Sequence, residues 1–374
     1  MIRIIISGGG TGGHVFPAIA IADALKKRVP DAEILFVGAL GRLEMEKVPG
    51  AGYRIEGLTI SGFQRRMTWK NLGFPFKLLG SLIKSRSIIR KFKPDGVIGV
   101  GGYASGPTLR MAVSLGIPAL IQEQNSYPGI TNRLLGKKVQ KICVAYDGME
   151  RFFPKEKIVL TGNPIRRDLI HLEGKSKEAY AHFGLKEDKK VVLVIGGSLG
   201  AGNINRAIKA FMDSDSGNSE FQLLWQTGKY YYEDYKLPIP FSGHPDVGHR
   251  VHAAILPFID RMDLAYAAAD IVISRAGAIA ISELCVVGKP VILIPSPNVA
   301  EDHQTKNALA LSEKKSAILV RDAEAVEKLG KTLIALLNNA EMQAELSLQI
   351  RKLATPDAAE KIATEALKLK KDES

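Results

Sequence analysis

The run Gly8-Gly9-Gly10-Thr11-Gly12-Gly13-His14 carries the clearest chemical signal in this 374-residue chain. It follows the apolar run Arg3–Ser7 and precedes Pro17–Arg28, which reads as a helix with a basic end. Backbone N–H groups in such a turn, with a helix N-terminus behind them, hold anions. Glycine lets a ligand approach without a Cβ in the way, and five glycines in seven residues exceed what a strand–helix turn requires. His14 closes the loop where side chains face a ligand, as a candidate general base or positioning group. A structural histidine in a ligand-free turn is the plainer alternative. The loop also fits G-x-G-x-x-G through Gly8, Gly10 and Gly13, which keeps a dinucleotide site open. That fold wants an acid just after the second strand, and Val37-Gly38-Ala39-Leu40 supplies none. The lysine of a Walker A loop is absent too.

Two more glycine-rich loops follow apolar runs: Gly101-Gly102-Tyr103-Ala104-Ser105-Gly106-Pro107 and Gly196-Gly197-Ser198-Leu199-Gly200-Ala201. Together the three suggest a nucleotide-diphosphate donor and a second phosphorylated ligand. Gln122-Glu123-Gln124-Asn125 ends a buried strand, where open α/β sheets bind ligands, or is an ordinary polar loop. Arg166, in Gly162–Arg167, can reach a diphosphate bidentately or serve as a solvated linker residue. Arg275 to Glu283 opens a helix whose free N–H groups suit a phosphate, and Glu283 can accept from ribose hydroxyls. Asp302-His303-Gln304 opens another helix, with Asp302 a possible N-cap. Asp213-Ser214-Asp215 matches a short D-x-D pattern but sits in a polar run that reads as an exposed loop. No His/Cys cluster suggests a metal.

These loops need rigid supports. Arg3–Ser7, Glu33–Val37, Gly96–Val100, Ala119–Gln122 and Lys141–Val144 read as strands alternating with helical segments. The pattern restarts in the second half with Lys157–Thr161 as its lead-in strand, then Lys190–Ile195, Gln222–Gln226, Val251–Leu256, Ile271–Ser274 and Pro290–Pro295. The alternation predicts an α/β chain of two Rossmann-like, doubly wound parallel-sheet domains facing across a cleft. The expected bounds are 1–163, joined by a C-terminal helix at 353–374 that crosses back, and 164–352. Ala323–Lys371 reads as helical throughout, broken at Pro356.

The two cysteines, Cys143 and Cys285, each lie in an apolar run, which fits a reducing compartment rather than a disulfide framework. No signal peptide and no membrane-spanning stretch is visible. The net charge of +12 is uneven: residues 1–160 hold 24 Lys and Arg against 11 Asp and Glu. Gly57 to Pro94 holds nine basic residues and no acid. Within it, Trp69, Leu72, Phe74, Phe76, Leu79 and Leu82 alternate with Lys70, Lys77, Lys84 and Arg86. That mixture suits an anionic membrane surface, or a helix packed on its own sheet; it lacks the exposed aromatic and base-reading pattern of a nucleic-acid surface.

Gly8–His14, Gly101–Pro107, Gln124-Asn125, Gly162–Arg166, Gly196–Ala201 and Gly277–Glu283 occur in the order and spacing of the MurG family, which the chain resembles over essentially its whole length. The resemblance implies a GT-B fold. It implies an inverting transfer of GlcNAc from UDP-GlcNAc to the 4-hydroxyl of MurNAc in lipid I, undecaprenyl-diphospho-MurNAc-pentapeptide, giving lipid II for peptidoglycan. It further implies that Thr11, Gly12, Gly13 and Asn125 approach the donor sugar and the acceptor diphosphate, and that Arg166 and Ser198 hold UDP phosphates or ribose. Ile259 meets uracil through its backbone; Gly277, Ala278, Ile279, Ala280, Ile281 and Ser282 cradle phosphate; Glu283 binds ribose; His303 and Gln304 contact GlcNAc hydroxyls. Gly102, Tyr103, Ser105 and Gly106 take the acceptor diphosphate, and His14 matches the family's candidate catalytic histidine. Two positions depart from the pattern: Ala280 stands where many members carry a hydroxyl, and His303 where some carry glutamine. No tightly bound cofactor or protein metal site is expected, and no nucleic-acid partner. A peripheral place on the cytoplasmic face of the bacterial inner membrane is implied, with other wall-synthesis or division proteins as partners. A sugar-nucleotide epimerase of the same fold, an NAD-dependent oxidoreductase and a non-catalytic membrane scaffold are the competing readings.

Overall fold

The computed structural model describes residues 1–60, 74–197, 199–214, 220–236, 252–299 and 302–369. Its internal contacts divide the chain into two units, Met1–Arg166 with Thr355–Ser374, and Arg167–Ala354.

The first unit holds β1 (Arg3–Gly8), α1 (Gly12–Arg28), β2 (Glu33–Ala39), α2 (Glu44–Gly50), β3 (Arg54–Leu58), α3 (Phe74–Phe92), β4 (Gly96–Gly101), α4 (Ser105–Ser114), β5 (Ala119–Glu123), α5 (Ile130–Gly136), β6 (Lys141–Val144) and β7 (Ile158–Leu160). Its sheet runs β3-β2-β1-β4-β5-β6-β7, with every pairing parallel. Both faces are covered, so the central strands read as continuous apolar runs. Ile4 and Ile6 point into a core with Ile21 and Leu25 of α1, while Ile5 points to the opposite core with Ile88, Leu109 and Leu135. That alternation is the two-residue period of a strand buried on both sides.

The second unit begins with α6 (Ser176–Phe183) and continues through β8 (Lys190–Ile195), α7 (Gly202–Ser214), β9 (Phe221–Gln226), α8 (Tyr232–Tyr235), β10 (His252–Leu256), α9 (Met262–Ala268) and β11 (Ile271–Ser274). It closes with α10 (Ala278–Val287), β12 (Val291–Leu293), α11 (His303–Ser312), β13 (Ile318–Leu319), α12 (Ala325–Leu337) and α13 (Ala340–Arg351). The parallel sheet runs β10-β9-β8-β11-β12-β13. After it comes α14 (Ala358–Leu367), whose Ala359, Ile362, Ala363 and Ala366 complete the α1 side of the first unit's core.

One strand sits differently from the expectation. Lys157–Thr161 reads in sequence as the lead-in to the second half. Its core, β7, instead pairs with β6 through Ile142↔Ile158, Cys143↔Val159 and Val144↔Leu160, and so closes the first sheet. Of the stretch expected to be helical, the described residues 323–369 are mostly helical, with a second interruption at Asn338 and Asn339, where Asn339 caps α13 by accepting from the Met342 N–H at 2.9 Å.

Candidate functional site

Because all strands of the first sheet are parallel, the loops after β1 and β4 leave from the same edge, and these strands are neighbours. The two glycine loops interlock there. The Gly9 N–H donates to the Gly101 carbonyl at 3.3 Å. A Cβ on Gly102 would lie 2.1 Å from the Gly9 carbonyl oxygen, and one on Gly8 would lie 2.2 Å from Val100. A Cβ on Gly101 would lie 2.6 Å from Cδ2 of His14. On the far side of the loop, buried Glu44 of α2 accepts the Gly10 N–H at 2.7 Å and the Ala39 N–H at 2.9 Å. The excess of glycine therefore makes room for the chain's own atoms. No acid stands directly after β2; the first one, Glu44, comes five residues later in α2, and its oxygens accept backbone N–H groups.

His14 sits in the first turn of α1, which Thr11 precedes as N-cap. Its Nδ1 lies 3.2 Å from the Thr11 hydroxyl. Burial lowers its pKa from 6.5 to about 4, because the imidazolium would lose its hydration. The ring is therefore neutral near pH 7. Behind it, the end of β5 forms a hydrogen-bonded lattice. Glu123 accepts from the Asn125 N–H at 3.0 Å and from Asn132 at 2.7 Å, and burial raises its pKa. Gln124 donates to the Val100 carbonyl at 3.2 Å, and Gln122 donates to Asn163 at 2.9 Å. Gln122 and Gln124 thus tie strand ends together, leaving half-buried Asn125 as the member of the cluster nearest solvent. The Arg166 guanidinium lies over the Phe16 ring of α1, 5.1 Å from its centroid.

In the second glycine loop Tyr103 is exposed, with the Arg42 guanidinium 5.8 Å from its ring centroid. The Ser105 hydroxyl is buried, turned towards Gly99, and has no hydrogen-bond partner among the described residues. An anion at this loop would therefore meet backbone N–H groups and not that hydroxyl.

In the second unit, the helix α10 starts after Gly277, whose absent Cβ would meet nothing within 4 Å. The N–H groups of Ala278, Ile279 and Ala280 lie in the first turn of the helix, where no intrahelical carbonyl reaches them. Ile281 bonds back to the Gly277 carbonyl and Ser282 to the Ala278 carbonyl at 3.0 Å. Arg275 fixes the approach to this turn through the Ile294 carbonyl at 3.0 Å and Asp322. Glu283 is buried in the second turn, 3.5 Å from the Tyr266 hydroxyl. Gln226 joins two neighbouring loops: it donates to the Gly197 carbonyl at 3.0 Å and accepts the Ile259 N–H at 2.9 Å. Base recognition at Ile259 would therefore fall to its carbonyl. Gln304 of α11 accepts the Ser296 N–H at 2.9 Å, and His303 precedes it at the helix start behind Asp302. Ser198 lies outside the described residues.

Helix α3 inverts the usual arrangement. Ser81, Ser85, Ile88 and Ile89 face the sheet, while Phe76, Leu79 and Ile83 are 79%, 57% and 64% exposed. Lys77, Lys84, Arg86 and Arg90 are exposed beside them, and Leu82 is half-buried. Trp69, Leu72 and the Phe74 side chain lie outside the described residues. No helix among the described residues is long and apolar enough to cross a membrane. Among the described residues no group of His, Cys, Asp or Glu could hold a metal ion. Asp213 pairs with Lys209 one helical turn away, and Asp215 lies outside the described residues.

The profile of the glycosyltransferase family 28 N-terminal domain matches residues 4–144, and that of the family's C-terminal domain matches residues 191–362. A protein of Flavobacterium psychrophilum is 56% identical over 98% of this chain and 97% of its own length. Another, of Parabacteroides distasonis, is 56% identical over 98% of each. Both are described as UDP-N-acetylglucosamine–N-acetylmuramyl-(pentapeptide) pyrophosphoryl-undecaprenol N-acetylglucosamine transferase. Among solved structures, MurG of Acinetobacter baumannii superposes with a TM-score of 0.75 at 26% identity, covering 98% of this chain and all of that one. A UDP-GlcNAc 2-epimerase of Neisseria meningitidis superposes at 0.68 with 14% identity, covering 98% and 99%, a likeness of fold.

Proposed function

Since the chain belongs to glycosyltransferase family 28 and has a GT-B fold, we propose that it transfers GlcNAc from UDP-GlcNAc to the MurNAc 4-hydroxyl of lipid I, forming lipid II. The full-length likeness to transferases described by that reaction carries this reading. The acceptor oxygen attacks C1 of GlcNAc from the face opposite UDP. The C1–O bond to the diphosphate breaks, and the anomeric configuration inverts. His14, neutral at pH 7, takes the hydroxyl proton on Nε2. That role requires the tautomer in which Nδ1–H donates to the Thr11 hydroxyl. Thr11, Gly12, Gly13 and Asn125 form the surroundings of the transferring sugar.

In the second unit, the N–H groups of the first turn of α10 receive the UDP phosphates. They oppose the charge that develops on the leaving diphosphate. Arg166 adds a cation for the same group. Glu283 accepts from the ribose hydroxyls, the Ile259 carbonyl meets uracil, and His303 with the Gln304 side-chain amide meets the sugar. Gly102, Tyr103 and Gly106 border the acceptor diphosphate.

The test is transfer of labelled GlcNAc from UDP-GlcNAc to a lipid I analogue. Product that depends on the lipid acceptor supports the reading. Acceptor-independent conversion of UDP-GlcNAc would indicate an epimerase instead, and no reaction by a folded chain that binds UDP would sink both. In that assay Glu283→Ala is expected to raise KM for UDP-GlcNAc about ten- to a hundredfold, the worth of a hydrogen bond to a charged group. An unchanged KM would remove Glu283 from the donor site.

The outward apolar stripe Phe76, Leu79 and Ile83, bordered by cations, suits insertion into an anionic membrane surface. This would bring a soluble-headed, membrane-anchored acceptor to the first unit. Replacing all three by Ser is expected to weaken binding to phosphatidylglycerol vesicles on the order of a hundredfold, by loss of buried apolar area. Transfer to a water-soluble acceptor analogue should stay unchanged. Equal vesicle binding by the triple variant would place the membrane contact elsewhere.

A further inference from the structure

The Gly8–His14 loop has the features of an anion cradle, yet an anion from the same chain already occupies part of it. Glu44 is 1% exposed and lies in the first turn of α2. One carboxylate oxygen accepts the Gly10 N–H at 2.7 Å, and the other accepts the Ala39 N–H at 2.9 Å. These distances are those of charge-assisted hydrogen bonds. Room for the side chain is cleared from two sides. A Cβ on Gly9 would fall 2.2 Å from Glu44 Cδ, and one on Gly38 would fall 2.5 Å from its Cγ. Two glycines, Gly9 of the first loop and Gly38 of β2, thus leave space for one carboxylate.

We propose that Glu44 is the built-in counter-anion of the first glycine loop, a positioning residue that fixes the Gly9–His14 turn and keeps an acceptor diphosphate off the Gly10 N–H. The catalytic part of this inference rests on the transferase reading above. The Gly10 N–H, which a phosphate would otherwise use, is spent on the protein itself. The bond clamps the segment running from β1 into α1, and His14 rides on that segment. A second anion at Gly10 would meet the Glu44 charge with little water between them. The acceptor diphosphate therefore sits against the second loop, at Gly102 to Gly106, and not in the first. Loop one holds the base, and loop two holds the phosphate.

The experiment compares the natural chain with Glu44→Gln and Glu44→Ala, all full length. Hydrogen exchange over the peptide containing Gly8 to Gly13, measured without substrate, should quicken in both variants. Binding of UDP should be unchanged, since it belongs to the second unit. In transfer assays kcat should fall about a hundredfold in Glu44→Ala through misplacement of the base, with KM for UDP-GlcNAc unmoved. Sodium formate, a small carboxylate that fits the vacated space, should restore part of that kcat. A folded Glu44→Ala variant with natural kcat overturns the proposal, as does an inactive, folded one that does not respond to formate. If the alanine variant fails to fold, Glu44→Gln decides: it keeps the volume but turns an amide NH₂ towards a backbone donor, and natural kcat with natural exchange overturns the idea. Absence of transfer by the natural chain would instead defeat the transferase reading, while the exchange comparison would still decide the role of Glu44.

Discussion

Replacing His14 by Ala or Gln should lower kcat about 10²- to 10⁴-fold, the usual share of a general base, and leave the Kd for UDP as it was. The pH profile separates a base from other roles. Burial holds the His14 pKa at about 4 in the folded protein. If the neutral ring removes the proton, kcat/KM stays flat in respect of this group from pH 8 down to pH 5 and falls as pH drops through about 4. If the imidazolium were the active form, the rate would rise over that same interval. A limb near 6.5 would mean a solvated ring. Stability obeys the same linkage. The unfolded chain binds a proton on this histidine below its ordinary pKa, and the folded chain resists doing so. The contribution of neutral His14 is therefore complete above pH 6.5 and is lost progressively as pH falls towards 4. His14→Gln should consequently narrow the difference in Tm between pH 7 and pH 5, which calorimetry reads directly.

Gly102→Ala should be the most damaging single methyl group in the first unit. The added carbon would sit 2.1 Å from the Gly9 oxygen and 2.9 Å from the Gly9 nitrogen, so no side-chain rotation relieves it. The backbone also has φ +83° there, which an L side chain rarely adopts. The two loops must separate, and with them Gly101 and the ring of His14. A loss of about 3–5 kcal/mol is expected from overpacking combined with backbone strain, together with loss of transfer. Gly116→Ala provides the control. It has φ +73° and nothing within 4 Å of the new carbon, so only the conformational cost of about 1–2 kcal/mol applies, and kcat should survive. Urea unfolding of the two variants gives the comparison. Equal destabilisation would mean that φ, and not the interlocking of the loops, governs Gly102.

The central strands were legible because they are buried on both faces and therefore apolar without interruption, as in Ile4–Ile6 and Val191–Ile195. The edges were not. Strand β3 reads Arg-Ile-Glu-Gly-Leu, with its first residues partly or wholly exposed, and β13 has two residues. Neither shows a period that can be read from spacing. Strand β7 was visible as a strand, but its partner is a matter of three residue pairs with β6, which no local pattern encodes. The glycine loops follow strands and precede helices, as their sequence reads. Their glycines read as space for a ligand, whereas Gly8, Gly9, Gly101 and Gly102 give space to Val100, Glu44, His14 and Gly9 respectively. In the second unit, Gly197 and Gly277 have nothing within 4 Å of the carbon they lack. Glu44 itself had no sequence signal. Its partner Gly10 lies 34 residues away, and an acid in the first turn of a helix is ordinary chemistry for that position. In α3 the alternation of apolar and basic residues was readable, but its direction was not: that the serines turn inward is decided by the sheet beneath them.

Helix α14 packs against α1, yet the entire second unit lies between them in the chain. A ribosome working from the N-terminus therefore finishes the second unit before the first. Until Ala359, Ile362, Ala363 and Ala366 have been made, the helix that bears His14 has an apolar face with no cover. A nascent chain halted after the second sheet would present a finished second unit and a first unit lacking part of its core. Order of synthesis thus makes α1, with His14 in its first turn, one of the last parts of the first unit to gain its full packing.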